Sequence, residues 1–172
     1  MERNQFDKKD SLELGLTAQE KFISIAKSKG WLIKKSSSNE DINEHWDFRI
    51  TKNGFSFRVD VESLKRISRS DEKVQDEWFW VEFHGVRSYD NGWLNGKADL
   101  IALEREKDFF IIQRTDLKEL ADTLVDKTKN VSRTTDARYK IYCRRKNQTD
   151  VISLMKFSDI PPEKIWDCWQ KI

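Results

Sequence analysis

The chain alternates short apolar runs with strongly polar stretches, and the spacing changes from one run to the next. In "TAQEKFISIAKSKG" the residues Phe22, Ile25 and Ala26 recur at helical spacing. Thr17 and Glu20 read as a capping box at its start and Gly30 as its stop, so the pattern predicts a helix over 17–30. Residues 1–12 read as a loose polar arm and "SSSNEDINE" as a polar loop. Period two then takes over. "HWDFRI" and "FSFRVDVE" are strands joined by Asn53-Gly54, a pair suited to a type I′ turn because both central positions need positive φ. "WFWVEFHGV" puts Phe79, Val81 and Phe83 on one side, and "ADLIALERE" and "DFFIIQR" pair through a turn at Lys107-Asp108. "TDLKELADTLVDK" is an amphipathic helix with Leu117, Leu120, Ala121 and Leu124 on one stripe. "YKIYCRR" and "DVISLMKF" predict a further hairpin, and "PPEKIWDCWQKI" a closing helix with Pro at its start. Between them, "KRISRSDEKVQDE" is a long exposed loop and "NGWLNGK" is turn chemistry around Trp93. The sum is an α+β chain, a mixed and mostly antiparallel sheet flanked by helices.

The length of 172 residues fits one domain. With 36% charged residues, no apolar run of membrane-spanning length and a polar N-terminal segment, the expectation is a cytoplasmic protein without membrane contact. Cys143 and Cys168 lack zinc-ligand spacing and are expected to be reduced thiols. The net charge of +2 is unevenly spread. Residues 127–146 carry eight basic side chains against Asp136 alone, a local +7 that leaves −5 for the remainder. Such a block is either a phosphate-binding surface or a solvated face.

The hairpin carries the candidate chemistry. Counting back from Asn53-Gly54 pairs Ile50 with Phe57, Phe48 with Val59 and Trp46 with Val61 on one apolar face. On the other face Arg49 meets Arg58 and Asp47 meets Asp60, with Glu62 one step further along. Opposed carboxylates repel unless something compensates. A divalent cation would do so, since Mg²⁺ is held by one or two carboxylates with waters and a substrate phosphate. The alternative is a solvated acidic pair relieved by Arg49, Arg58 or Lys65.

Asp47, a turn and then Asp60-Val61-Glu62 resemble the PD-(D/E)xK nuclease superfamily. The phrases "EHWD", "DEWFWVEF" and "GWLNGKADLIALE" look like bacteriophage proteins of that superfamily. The resemblance spans roughly residues 17–125, leaving 126–172 as a basic C-terminal hairpin and helix. It implies a restriction-endonuclease-like α/β fold and a phage-encoded, metal-dependent endonuclease that would act in the host cytoplasm. Asp47 and Asp60 would bind Mg²⁺ (or Mn²⁺), and Glu20 matches a position where many members supply another acid. Glu62 stands where the family usually has Lys. Some members do carry Glu there, where it accepts a proton from the water or binds a second metal. Lys65 is the alternative source of positive charge, and a disabled active site is the third possibility.

The expected substrate is DNA rather than RNA. Phosphates would be met by Arg49, Arg58, Arg66 and Arg69 beside the acids, and by Lys140, Arg144 and Arg145 from the basic block. Trp78 and Trp80 are expected as sheet cover, with base stacking the alternative, and Trp93 is a candidate functional loop residue. His45 and His84 have no nucleophile partner; Gln113 and Arg114 support either the sheet edge or the site. Rival expectations are a non-cleaving nucleic-acid binder and a phage protein that binds a host protein. Many enzymes of that fold act as dimers, so the resemblance leaves a homodimer open, although no self-complementary apolar helix stands out.

Overall fold

The computed structural model describes residues 3–68 and 70–172, with side chains described from Glu13 onward; Arg69, one of the expected phosphate ligands, lies outside that set. The elements run α1 (Arg3–Ser28), β1 (Leu32–Lys35), α2 (Ser38–Glu44), β2 (Phe48–Lys52), β3 (Phe55–Glu62), β4 (Trp78–His84), β5 (Leu100–Glu104), β6 (Asp108–Gln113), α3 (Arg114–Leu124), β7 (Asp126–Val131), β8 (Lys140–Tyr142), β9 (Val151–Lys156) and β10 (Ile165–Gln170). Among the described residues the largest sheet has six strands in the order β1-β2-β3-β5-β6-β10. Only the β3/β5 pairing in it is parallel. β4 pairs with β9 and β7 with β8 in separate ribbons. The mixed, mostly antiparallel sheet flanked by helices is therefore present.

Two apolar layers sandwich the sheet. On one side Ala18, Phe22, Ile25 and Ala26 of α1 meet Phe48, Ile50, Val59, Val61, Leu100 and Trp169. Phe22 is fully buried and stacks on Trp169 at 5.3 Å, so truncating it to Ala removes about 3–5 kcal/mol. On the other side Phe79, Val81 and Phe83 of β4 close over Ile101, Leu103, Phe110 and Ile112, together with Leu117 and Ala121 of α3. Strand alternation makes this possible: β3 gives Val59 and Val61 to the α1 side and turns Asp60 to the other. Among the described residues no helix is long and apolar enough to cross a membrane.

Several expected elements are corrected. The first helix starts at Arg3, so the segment read as a loose arm is helical from that residue on, and Thr17 is no cap. Its hydroxyl donates to the Glu13 carbonyl at 2.9 Å inside the helix, a bond that Ser and Thr side chains make in helix interiors. The capping box belongs instead to α2, in the stretch read as a loop, where Ser37 accepts from the Glu40 N–H and the Glu40 carboxylate accepts from the Ser37 N–H. The short strand β1 was masked by its basic, mostly exposed residues. β8 and β9 do not form a hairpin with each other, since β8 joins β7 and β9 joins β4. The closing segment is a strand, β10, that completes the main sheet against β6.

Candidate active site

The hairpin turn forms as its sequence requires, with Asn53 at φ 51° and Gly54 at φ 83°. The predicted register holds from Lys52↔Phe55 through Phe48↔Val59, and Arg49 faces Arg58. Beyond Phe48 it does not. The Asp47 N–H donates to the Val59 carbonyl at 2.8 Å, and the Asp47 carbonyl accepts the Ser36 N–H at 2.8 Å. Asp47 thus precedes β2 rather than standing across from Asp60 in the ladder. Trp46 departs as well, joining the β4-side core instead of the α1-side face that holds Val61.

This break lets the Asp47 side chain take over a backbone role. Its Oδ2 accepts the Val61 N–H at 2.8 Å, and its Oδ1 accepts the Gln19 side-chain N–H at 2.7 Å. Gln19, one turn into the packed part of α1, is a site residue that the sequence did not reveal. Its neighbour Glu20, the expected acid, is exposed and is not the α1 residue that touches Asp47.

Asp60 is the anomaly. It is 8% exposed, and its Oδ2 is buried without a hydrogen-bond partner among the described residues. Burial, followed by the negative charges of Asp47 and Glu62, drives its pKa well above the carboxylate range. Burial also pushes Asp47 up to about 7 against the Val61 hydrogen bond, with Asp41 and Glu62 adding to the rise. Two buried acids so close titrate as one unit. Glu104, buried on the α1 side, shows the contrast. Burial opposes its ionisation too, but Lys171 at 2.8 Å, Lys21 at 2.9 Å and the Leu64 N–H at 3.1 Å outweigh that and hold its pKa below the usual range. Asp60 Oδ2 has no such donor among the described residues.

Glu62 and Lys65 pair, Nζ to Oε2 at 2.8 Å, and the carboxylate raises the lysine pKa. A cation therefore stands beside position 62 although residue 62 itself cannot supply one. Glu82 on β4 is a second residue missed by sequence reading. Burial, then the charges of Glu62 and Asp90, pushes it up to about 7. Its only signal was its place opposite Val81 in the alternation of "WFWVEF". Among the described residues no three His, Cys, Asp or Glu side chains are gathered into a ready metal cage.

The expected phosphate ligands divide. Arg58 is engaged by Asp99, Nε to Oδ2 at 3.1 Å and an Nη to Oδ1 at 2.9 Å, so it is not a free cation. Arg49 is exposed over the Trp46 ring at 5.4 Å. Arg66, Arg144 and Arg145 are exposed, and Lys140 is half-buried. Arg66 and Arg144 line a cleft of about 1230 Å³ that also includes Lys65 and Glu82. Trp93, the candidate functional loop residue, is 6% exposed and belongs to the core, and it also lines that cleft. Trp78 and Trp80 cover the β4 ribbon as expected. His45 ends α2 and meets Asp90 at 2.8 Å, and Arg114 supports the sheet by donating to the Ala98 and Leu94 carbonyls. Both cysteines are free thiols.

Comparison of this chain with known protein families, with curated proteins and with solved structures finds no match.

Proposed function

We propose that this protein is a metal-dependent phosphodiesterase of restriction-endonuclease-like fold that cuts DNA. The observation that carries this reading is the Asp60 carboxyl, buried beside Asp47 with one oxygen lacking any partner among the described residues. A buried ionisable group without a partner is costly, and a divalent cation is the partner that two carboxylates invite. Hard carboxylate oxygens suit Mg²⁺ or Mn²⁺, which need only one or two such ligands when waters and a phosphate complete the shell. Asp47 and Asp60 would hold the ion. When bound, such an ion lowers the pKa of a coordinated water and offsets charge on the phosphodiester.

The remaining work falls to groups nearby. Gln19 and the Val61 N–H fix the orientation of Asp47. Lys65 supplies the positive charge that position 62 lacks, and Glu62, bonded to it, orients the ammonium or accepts a proton from the attacking water. One observation favours a second reading, a non-cleaving nucleic-acid binder: the Lys65–Glu62 pair neutralises both charges where a free cation is wanted.

Cleavage of supercoiled plasmid and of single-stranded DNA with Mg²⁺ or Mn²⁺ tests the choice. The expected result is cutting of at least one of the two DNAs by the unaltered protein and of neither by Asp60→Ala. Cutting by Glu62→Lys alone would instead support the non-cleaving reading. Equal cutting by Asp60→Ala would remove the site from consideration.

A further inference from the structure

The cleft of about 1230 Å³ is larger than the 300–1,000 Å³ typical of a small-molecule pocket. Its walls come from α1, the loop after β3, β4, Trp93, the loop after β7, the end of β8 with Arg144, and the start of β9 with the residue before it. Three guanidinium-bearing residues line it: Arg66, Arg133 and Arg144. All three are exposed. In contrast to Arg58, Arg105 and Lys164, each held by a carboxylate, none of the three has an ion-pair partner among the described residues. The same cleft is lined by Trp80 and Tyr142, whose rings lie 6.0 Å apart at 56°. Both are half-buried.

Free guanidiniums beside aromatic faces are the chemistry of a polyanion whose bases are unstacked. A duplex presents phosphates and base edges but keeps its base faces stacked, so recessed aromatic rings have nothing to meet on it. Glu13, Glu82 and Asp150 also line the cleft, which excludes a uniform positive field and leaves local arginine contacts and stacking to hold the strand. Lys65 and Glu82 connect the cleft to the candidate site, Lys65 through its bond to Glu62.

We infer that this cleft binds a single-stranded nucleic acid, with its phosphates on Arg66, Arg133 and Arg144 and a base against Trp80 and Tyr142. On the phosphodiesterase reading, on which this deepening rests, a single strand and not intact duplex is the substrate led toward Asp60.

Fluorescence anisotropy of labelled oligothymidylate, oligouridylate and a hairpin duplex, in EDTA, tests the inference with the full chain. Either single strand is expected to bind more tightly than the duplex. The exposed pair Arg133→Ala/Arg144→Ala is expected to weaken single-strand binding roughly tenfold and to lower its salt slope by about 1–2. Trp80→Leu is expected to weaken it and Trp80→Phe to restore it, with melting curves confirming that each variant folds. Duplex binding as tight as single-strand binding, or binding unaffected by the arginine pair, would overturn the proposal. EDTA separates the two claims. Single-strand binding without cleavage under any metal leaves the cleft and removes the phosphodiesterase; cleavage with binding insensitive to the cleft variants does the reverse.

Discussion

The Asp47 carboxylate accepts the Val61 backbone N–H at 2.8 Å, so a side chain makes a bond that a strand residue would otherwise make. That bond ties the acid to β3 at the residue after Asp60, and it explains why the ladder register ends at Phe48↔Val59. Asp47→Ala therefore loses both a candidate metal ligand and a buried backbone partner, at about 1–3 kcal/mol of stability. Asp47→Asn keeps an acceptor oxygen and is expected to retain most of that stability while losing metal-dependent activity. Thermal denaturation of the two variants side by side checks the difference.

Asp60→Asn is expected to stabilise the metal-free protein above neutral pH. Both members of the buried pair have folded pKa values above their unfolded ones. The native state therefore binds more protons than the unfolded chain between about pH 4 and 7, and stability falls as pH rises through that window. Replacing Asp60 removes one of the opposed charges, so the fall becomes shallower and the gain at about pH 8 is on the order of 1–3 kcal/mol. Denaturant titrations across that range give the slope; an unchanged slope would contradict the burial of the pair.

Gln19, not Glu20, is expected to matter on α1. Gln19→Ala removes the 2.7 Å bond to Asp47 at a cost of about 1 kcal/mol and lowers cleavage, whereas the exposed Glu20→Ala leaves both near their starting values. Activity and melting temperature for the two variants, measured together, decide between neighbouring positions.

How much of this was legible in the sequence depends on how local the determining forces are. The turn at Asn53-Gly54 and the register from Lys52↔Phe55 to Phe48↔Val59 followed from positive φ and period two, whereas the same counting set Asp47 directly across from Asp60, where the structure does not place it. Gln19 was not legible, because a contact across 28 positions leaves no local mark. The last strand was read as a helix from the Pro at the start of its segment, and Trp166 and Trp169, three apart, would fall on opposite faces of a regular strand. A bulge between Ile165 and Asp167 lets both rings pack toward Trp31 on the α1 side. Polar residues likewise concealed the first turns of α1, where helix continuity and not an apolar stripe sets the start at Arg3.

Gly92 is expected to tolerate no side chain. It sits at φ 71°, and a Cβ there would come within 2.7 Å of the Glu82 carbonyl, the Phe83 carbonyl carbon and the His84 nitrogen. Gly92→Ala combines backbone strain with a clash against β4 that cannot be relieved by a rotamer change. A loss of about 2–4 kcal/mol is expected, read from the denaturation midpoint.

Lys65→Met is expected to lower cleavage by about 10²-fold with little change in fold, and Lys65→Arg to recover part of it. Its 2.8 Å bond to Glu62 is exposed on the lysine side and contributes little stability, so a large activity loss would separate a chemical role from a structural one.

Mn²⁺ titration followed by electron paramagnetic resonance shows whether Asp47 and Asp60 form a divalent-cation site. The unaltered protein is expected to take up Mn²⁺ at about pH 8, with affinity falling by an order of magnitude or more at about pH 6 as the pair regains its protons, and Asp60→Asn to lose the binding. Mn²⁺ uptake unchanged in Asp60→Asn, or none by the unaltered protein at about pH 8, would contradict such a site.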